Sequence, residues 1–190
     1  MVMNKYLKAA ALLILSSYLI CACQMFEKQE SIDAEKTIES PSNQRSLSKR
    51  LPQPNGYISD FENLFSASEI KNLDSIITDI EKKTTVQIVV VTLDSTMTNS
   101  DNFEDFTWQL ANDWGVGQKG KDNGILIGIS AGLRKIRIQN GKGIEKKLSN
   151  EDTKLIVDSV FIPSFRQGNY FEGTNNGIHV LMNILGETMH

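Results

Sequence analysis

Five oxygen-bearing side chains fall where the chain's glycines are densest. Asp113 precedes Trp114-Gly115-Val116-Gly117, and Asp122 and Asn123 sit in Lys119-Gly120-Lys121-Asp122-Asn123-Gly124. Glu145 closes Gly141-Lys142-Gly143-Ile144-Glu145, and Asp152 ends Ser149-Asn150-Glu151-Asp152. Hard oxygen donors on glycine-rich turns are what Ca²⁺ requires, with Mg²⁺ as the alternative. Asp122 and Glu145 are also the candidates for catalysis. The other reading of these residues is solvated loop acids: Asp-Asn-Gly is a favoured turn, and Asp152 is placed to cap a helix. Asp60 and Asp94 belong to the opposite end of the fold and make a weaker second site.

Other chemistries find less support. Gly115 to Gly120 matches G-x-G-x-x-G, but a dinucleotide fingerprint must follow a strand and open a helix. Here the glycines follow a helical pattern and lead into a strand, so no nucleotide is expected. His179 and His190 are the only histidines, and both cysteines lie within the first 23 residues, so a closed zinc site is not expected. No G-x-S-x-G elbow occurs, and His179 reads as a helix-face residue. Lys119, Lys121 and Arg137 supply charge for a phosphate, yet no residue stands out as a nucleophile. Lysine and arginine total 20 against 23 acids, which gives nothing to track a nucleic-acid backbone.

The elements that must position these residues alternate between two periods. Ser66-Ala67-Ser68-Glu69 is a capping box, followed by Ile70, Leu73, Ile76, Ile77 and Ile80 at helical spacing. Val86 to Leu93 is an apolar, β-branched run suited to a central strand. Phe103, Phe106, Leu110 and Trp114 mark a second helix, and Ile125 to Ser130 a second buried strand. Ala131-Gly132 turns into Leu133 to Gln139, whose alternation suits an edge strand with one wet face. Ser149 starts a third helix, expected to break before Pro163, and a last helix runs from about Tyr170. The result is an α/β layered domain. Its two apolar strands are expected to be parallel through a right-handed crossover, with the third strand antiparallel and room for a fourth. One end of the sheet should then gather Asp113, Asp122, Asn123, Glu145 and Asp152.

Upstream the reading changes. Lys5 and Lys8 precede Ala9 to Ile20, a stretch of twelve uncharged residues. It is too short for a bilayer span of about 20 residues but has the size of a signal-peptide core. Ile20-Cys21-Ala22-Cys23 resembles the lipobox of bacterial lipoproteins, which implies cleavage and acylation at Cys23. Residues 1–22 are thus expected to be a leader. Residues 23–56 are read as the acylated Cys23 and a flexible tether, because this segment lacks a hydrophobic period and holds Pro41, Pro52 and Pro54. Residues 57–190 are read as the folded domain. From Leu51 onward 18 acids face 13 bases, so the domain is more acidic than the whole chain.

With these segments in place, Tyr57 to about Leu185 resembles the TPM-domain family. The resemblance rests on Trp114-Gly115-Val116-Gly117, Lys119 to Gly124, Arg134-Lys135-Ile136-Arg137-Ile138, Gly141-x-Gly143-Ile144-Glu145 and Pro163-x-Phe165-Arg166-x-Gly168-x-Tyr170-x-x-Gly173. It implies a three-layer α/β/α sandwich with a small mixed sheet of three to four strands and about four helices. It also implies one of two roles. One is a divalent-cation-binding adaptor in assembly or repair of envelope membrane complexes; the other is a metal-assisted acid phosphatase acting on phosphomonoesters. Two residues depart from the family pattern. Glu62 stands where Ala is frequent, and Lys146 where Gly is favoured.

Overall fold

The structure, a computed structural model, describes residues 51–186. The leader, Cys23, the tether as far as residue 50 and His190 lie outside the described residues.

Four strands form one sheet in the order β1-β2-β3-β4. They are β1 (Ile58–Asp60), β2 (Gln87–Thr92), β3 (Gly124–Ser130) and β4 (Lys135–Asn140). β1 and β3 both pair parallel to β2, with Ile58 opposite Val90 and Gln87 opposite Gly124. β4 runs antiparallel to β3, with Ile127 opposite Ile138. β1 is therefore the fourth strand, added at the edge beyond β2. β3 is buried along its whole length. That explains its unbroken apolar sequence: a strand covered on both faces has no wet side to alternate with.

Helix α1 (Ala67–Thr84) begins with the expected capping box. The Glu69 N–H donates to Ser66 Oγ, and the Ser66 N–H returns a bond to the Glu69 carboxylate. Leu73, Ile77 and Ile80 are fully buried on its inner face, each contributing about 1.5–3 kcal/mol relative to exposure. The helix ends at Thr85, whose φ of 66° is left-handed. On the opposite side of the sheet lies α2 (Phe103–Asp113). Its Phe103 and Leu110 bury with Val91, Leu93, Leu126 and Leu51.

Leu51 shows that packing starts ahead of Tyr57. Its side chain is buried, the Pro52 carbonyl accepts the Trp114 indole N–H at 2.9 Å, and the Asn55 N–H donates to Ser59 Oγ at 2.8 Å.

The C-terminal part packs with α1 on one face of the sheet. It comprises α3 (Lys142–Glu145), α4 (Asn150–Ile156), a π-helical turn (Val157–Phe161), α5 (Ile162–Arg166) and α6 (Tyr170–Ile184). A break before Pro163 does not occur. The π turn carries the chain into α5, with the Ile162 N–H bonded to the Val157 carbonyl. Pro163 follows as the second residue of α5, its absent N–H falling just after the π turn, where the i→i−4 ladder is already interrupted. With helices on both faces, this is the α/β/α sandwich. Among the described residues α1, α2, the continuous α4–π–α5 run and α6 are the four expected helices, and α3 is a short extra turn after Gly141.

Candidate functional site

The glycine-rich end of the sheet is built from backbone crowding. The Gly143 N–H donates to the Asp122 carbonyl at 2.9 Å. A methyl group on Gly141 would stand 2.2 Å from the Asp122 carbonyl oxygen, and one on Gly143 the same distance from that of Lys121. Gly141-x-Gly143 is thus the spacing that lets the turn after β4 press against the loop before β3. Asn123 secures that loop. Its Nδ2 donates to the Thr85 carbonyl at 2.5 Å, and its Oδ1 accepts the Gln118 N–H at 2.8 Å. Gln87 adds a further tie, its side-chain carbonyl accepting the Gly117 N–H at 2.6 Å.

The five predicted ligands share this end without converging. Asp113 is exposed at the last residue of α2, Asp122 is exposed with a left-handed φ of 50°, and Glu145 is exposed at the end of α3. The Asp152 carboxylate accepts the Ser149 hydroxyl at 2.9 Å, and its own N–H bonds Ser149 Oγ, so it belongs to the cap of α4. Asn123 is committed to Thr85 and Gln118. Among the described residues, no group of three or more His, Cys, Asp or Glu side chains is arranged to hold a metal ion. The glycines from Gly115 to Gly120 run from α2 into β3 and open no helix.

The opposite end is where open α/β sheets place ligands, beyond the carboxyl ends of parallel strands. Here it is filled by internal bonds. Asp60 accepts the Leu64 and Phe65 N–H groups at 3.0 and 2.9 Å and the Thr92 hydroxyl at 2.6 Å. Glu62 accepts the Ala131 and Gly132 N–H groups at 2.8 and 3.1 Å and the Ser130 hydroxyl at 3.3 Å. Residue spacing does not disclose this use of Glu62, since its partners lie about 70 positions away. Asp94 turns onto its own loop; the Thr96 hydroxyl and N–H hold its carboxyl below the usual carboxylate range.

A broad hollow lies elsewhere, between β4 and the α4–α5 helices, with a volume of about 1160 Å³. Ile136, Val157, Ile162, Phe165 and Tyr170 give it an apolar floor. Arg134, Lys135, Arg137, Lys154 and Arg166 face it, against Glu151 and Asp158. Lys154 pairs with Asp158, and Arg137 with Glu104 of α2 at 2.6 Å. Arg134, Lys135 and Arg166 have no ion pair among the described residues. The sequence motifs held these residues separately, but only the fold aligns them. His179, on α6, is half-buried and does not line the groove.

A family model described as the TPM domain matches residues 58–184. The chain belongs to the TPM-domain family. Three solved structures are similar to it. The N-terminal domain of a protein from P. gingivalis is 29% identical with a TM-score of 0.63, covering 75% of this chain and 93% of that one. The BA42 protein of Bizionia argentinensis is 24% identical with a TM-score of 0.57, covering 67% and 85%. The N-terminal domain of the cg2496 protein of Corynebacterium glutamicum is 17% identical with a TM-score of 0.53, covering 73% and 86%; these last two show the fold alone. Comparison with curated proteins finds no match.

Both departures from the TPM pattern have a local explanation. Glu62 binds the β3–β4 turn. Lys146 has a right-handed backbone with φ −66° and ψ −25°, so the freedom of glycine is not needed there.

Proposed function

We propose that this TPM domain is a binding module rather than a hydrolase, an adaptor held at the bacterial envelope membrane by an acyl group on Cys23. The observation that carries the reading is how the polar side chains are used. Asp60, Glu62, Asn123 and Asp152 are committed to the protein's own N–H, O–H and C=O groups, whereas the broad open surface is a basic groove with an apolar floor. Hydrolysis of a phosphomonoester needs an activated nucleophile or a metal-bound hydroxide beside the phosphate. Partner binding needs only the exposed surface.

A divalent cation enters this reading as a weak ligand of Asp122 and Glu145. Both carboxylates are exposed, one on the loop before β3 and one at the end of α3, segments that the Gly143–Asp122 backbone bond brings together. The assay that tests the whole reading is hydrolysis of a generic phosphomonoester by the full chain, with and without Mg²⁺ or Ca²⁺. The expected result is no turnover above background. Turnover that disappears in Asp122→Ala or Glu145→Ala would overturn the reading in favour of the phosphatase. For the anchor, a Cys23→Ser chain should lose acyl labelling, and normal labelling would refute acylation at that residue.

A further inference from the structure

β4 ends the sheet, so among the described residues one of its two backbone edges has no strand beside it. Which residues face that way follows from the ladder. The Gly141 N–H donates to the Gly124 carbonyl at 2.8 Å, which sets the phase of the antiparallel pairing. Hydrogen-bonded pairs recur at every second residue, so Gln139, Arg137 and Lys135 direct their peptide groups at β3. Ile136 and Ile138 direct theirs outward. Consecutive residues Arg134 to Ile138 of the hairpin and β4 all border the groove, so it follows this edge strand. It is closed at one end, where Asn140 Nδ2 donates to Thr153 Oγ1 of α4 at 2.8 Å. Arg134, Lys135 and Arg166 line it without an ion pair among the described residues.

We infer that this groove takes an extended acidic peptide segment of a partner protein, paired as a fifth strand against β4. The inference rests on the adaptor reading above and names the partner's chemistry. Three features select the occupant. Outward peptide groups of an edge strand bond only to another extended backbone. The half-buried Ile136, Ile162, Phe165 and Tyr170 beneath them accept alternate apolar side chains of such a strand. The surrounding cations, five against two acids, favour acidic residues at the intervening positions. The same charges act against a second copy, since it would bring two basic hairpins together. An occupant spanning the six residues of β4 would extend about 20 Å.

The test uses the full chain and a fluorescein-labelled peptide of alternating glutamate and valine, read by fluorescence anisotropy. Binding is expected, weakening with added salt, and absent for the peptide with lysine in place of glutamate. Arg166→Glu combined with Lys135→Glu should weaken it about tenfold or more. Ile136→Pro removes one outward donor at an edge position where proline is compatible with the sheet. It should weaken binding comparably, while circular dichroism shows the fold retained; Ile136→Ala, which keeps the N–H, should bind more tightly than Ile136→Pro. Equal binding by all these variants would overturn the inference. So would preference for phosphatidylglycerol vesicles over the peptide, or concentration-dependent dimerisation that the peptide does not disrupt. Each of those results leaves the adaptor reading standing, since that reading falls only on variant-sensitive phosphomonoester turnover.

Discussion

Asn123 Nδ2 donates to the carbonyl of Thr85 at 2.5 Å, across 38 positions of sequence, and so ties the loop before β3 to the end of α1. The neighbouring Asp122 carboxylate is exposed. Adjacent residues in one motif thus have opposite roles, one bracing the fold and one facing solvent. Asn123→Asp replaces the donor with a charged acceptor facing a carbonyl and should destabilise the chain by about 1–3 kcal/mol. Asp122→Asn keeps a residue type tolerant of left-handed φ and should stay within about 0.5 kcal/mol. Urea unfolding of the two variants checks the contrast, and an equal loss in both would contradict it.

The contact between α6 and the π turn is as close. A methyl group on Gly177 would fall 1.9 Å from Cζ of the fully buried Phe161. Gly177→Ala is therefore expected to cost about 1–3 kcal/mol by overpacking, despite alanine's better helix propensity. Pairing it with Phe161→Leu should recover part of the loss, because the two changes share one space. Strict additivity in a double-mutant cycle would show that they do not.

The capping box of α1 gives a pH dependence with a defined sign. The backbone N–H and hydroxyl of Ser66 hold the Glu69 carboxyl below its ordinary value of 4.5. A lowered folded value means the contribution is complete above the unfolded value and lost as pH falls through the folded one. The stability difference between wild type and Glu69→Gln should therefore shrink steadily as pH drops below about 4.5. A constant difference across that range, measured by denaturant titration, would show that the charge does not contribute.

Calcium provides the fourth expectation. With Asn123 and Asp152 committed elsewhere, Asp113, Asp122 and Glu145 are the exposed carboxylates left at the glycine-rich end, and the Gly143–Asp122 backbone bond joins the segments that carry the last two. Two exposed carboxylates match the weak end of calcium affinities, on the order of 10⁻⁴ to 10⁻³ M. A titration followed by backbone amide shifts should move residues around both side chains, and the double variant Asp122→Asn, Glu145→Gln should abolish the effect. Submicromolar affinity, or shifts centred on another part of the sheet, would displace the site.

Much of the molecule was legible in the residues themselves because local physics dominates there. The Ser66–Glu69 cap, the helical spacing from Ile70 to Ile80 and the apolar runs of β2 and β3 each carry their signal within a few residues. The ordered glycine motifs marked the family for the same reason: glycine at 141 and 143 answers a backbone approach that few other residues permit. The break expected before Pro163 failed because a π turn offered the helix a path past the proline, an option that propensity alone does not reveal.

What chain order left open were the partners of side chains. Loop carboxylates look alike in sequence whether they hold a cation, cap a helix or bind a distant turn. Asp152 turned onto Ser149, Glu62 onto the β3–β4 turn, and Asn123 onto Thr85. The basic groove is of the same kind. Arg134 and Lys135 come from the β3–β4 hairpin and Arg166 from α5, and packing alone sets them around one hollow. The amino-acid sequence determined the elements and the family, since periodicity, caps and close-packed glycines act over short distances. Tertiary structure decided which polar groups remain available, because that depends on which donors and acceptors meet once the core has closed.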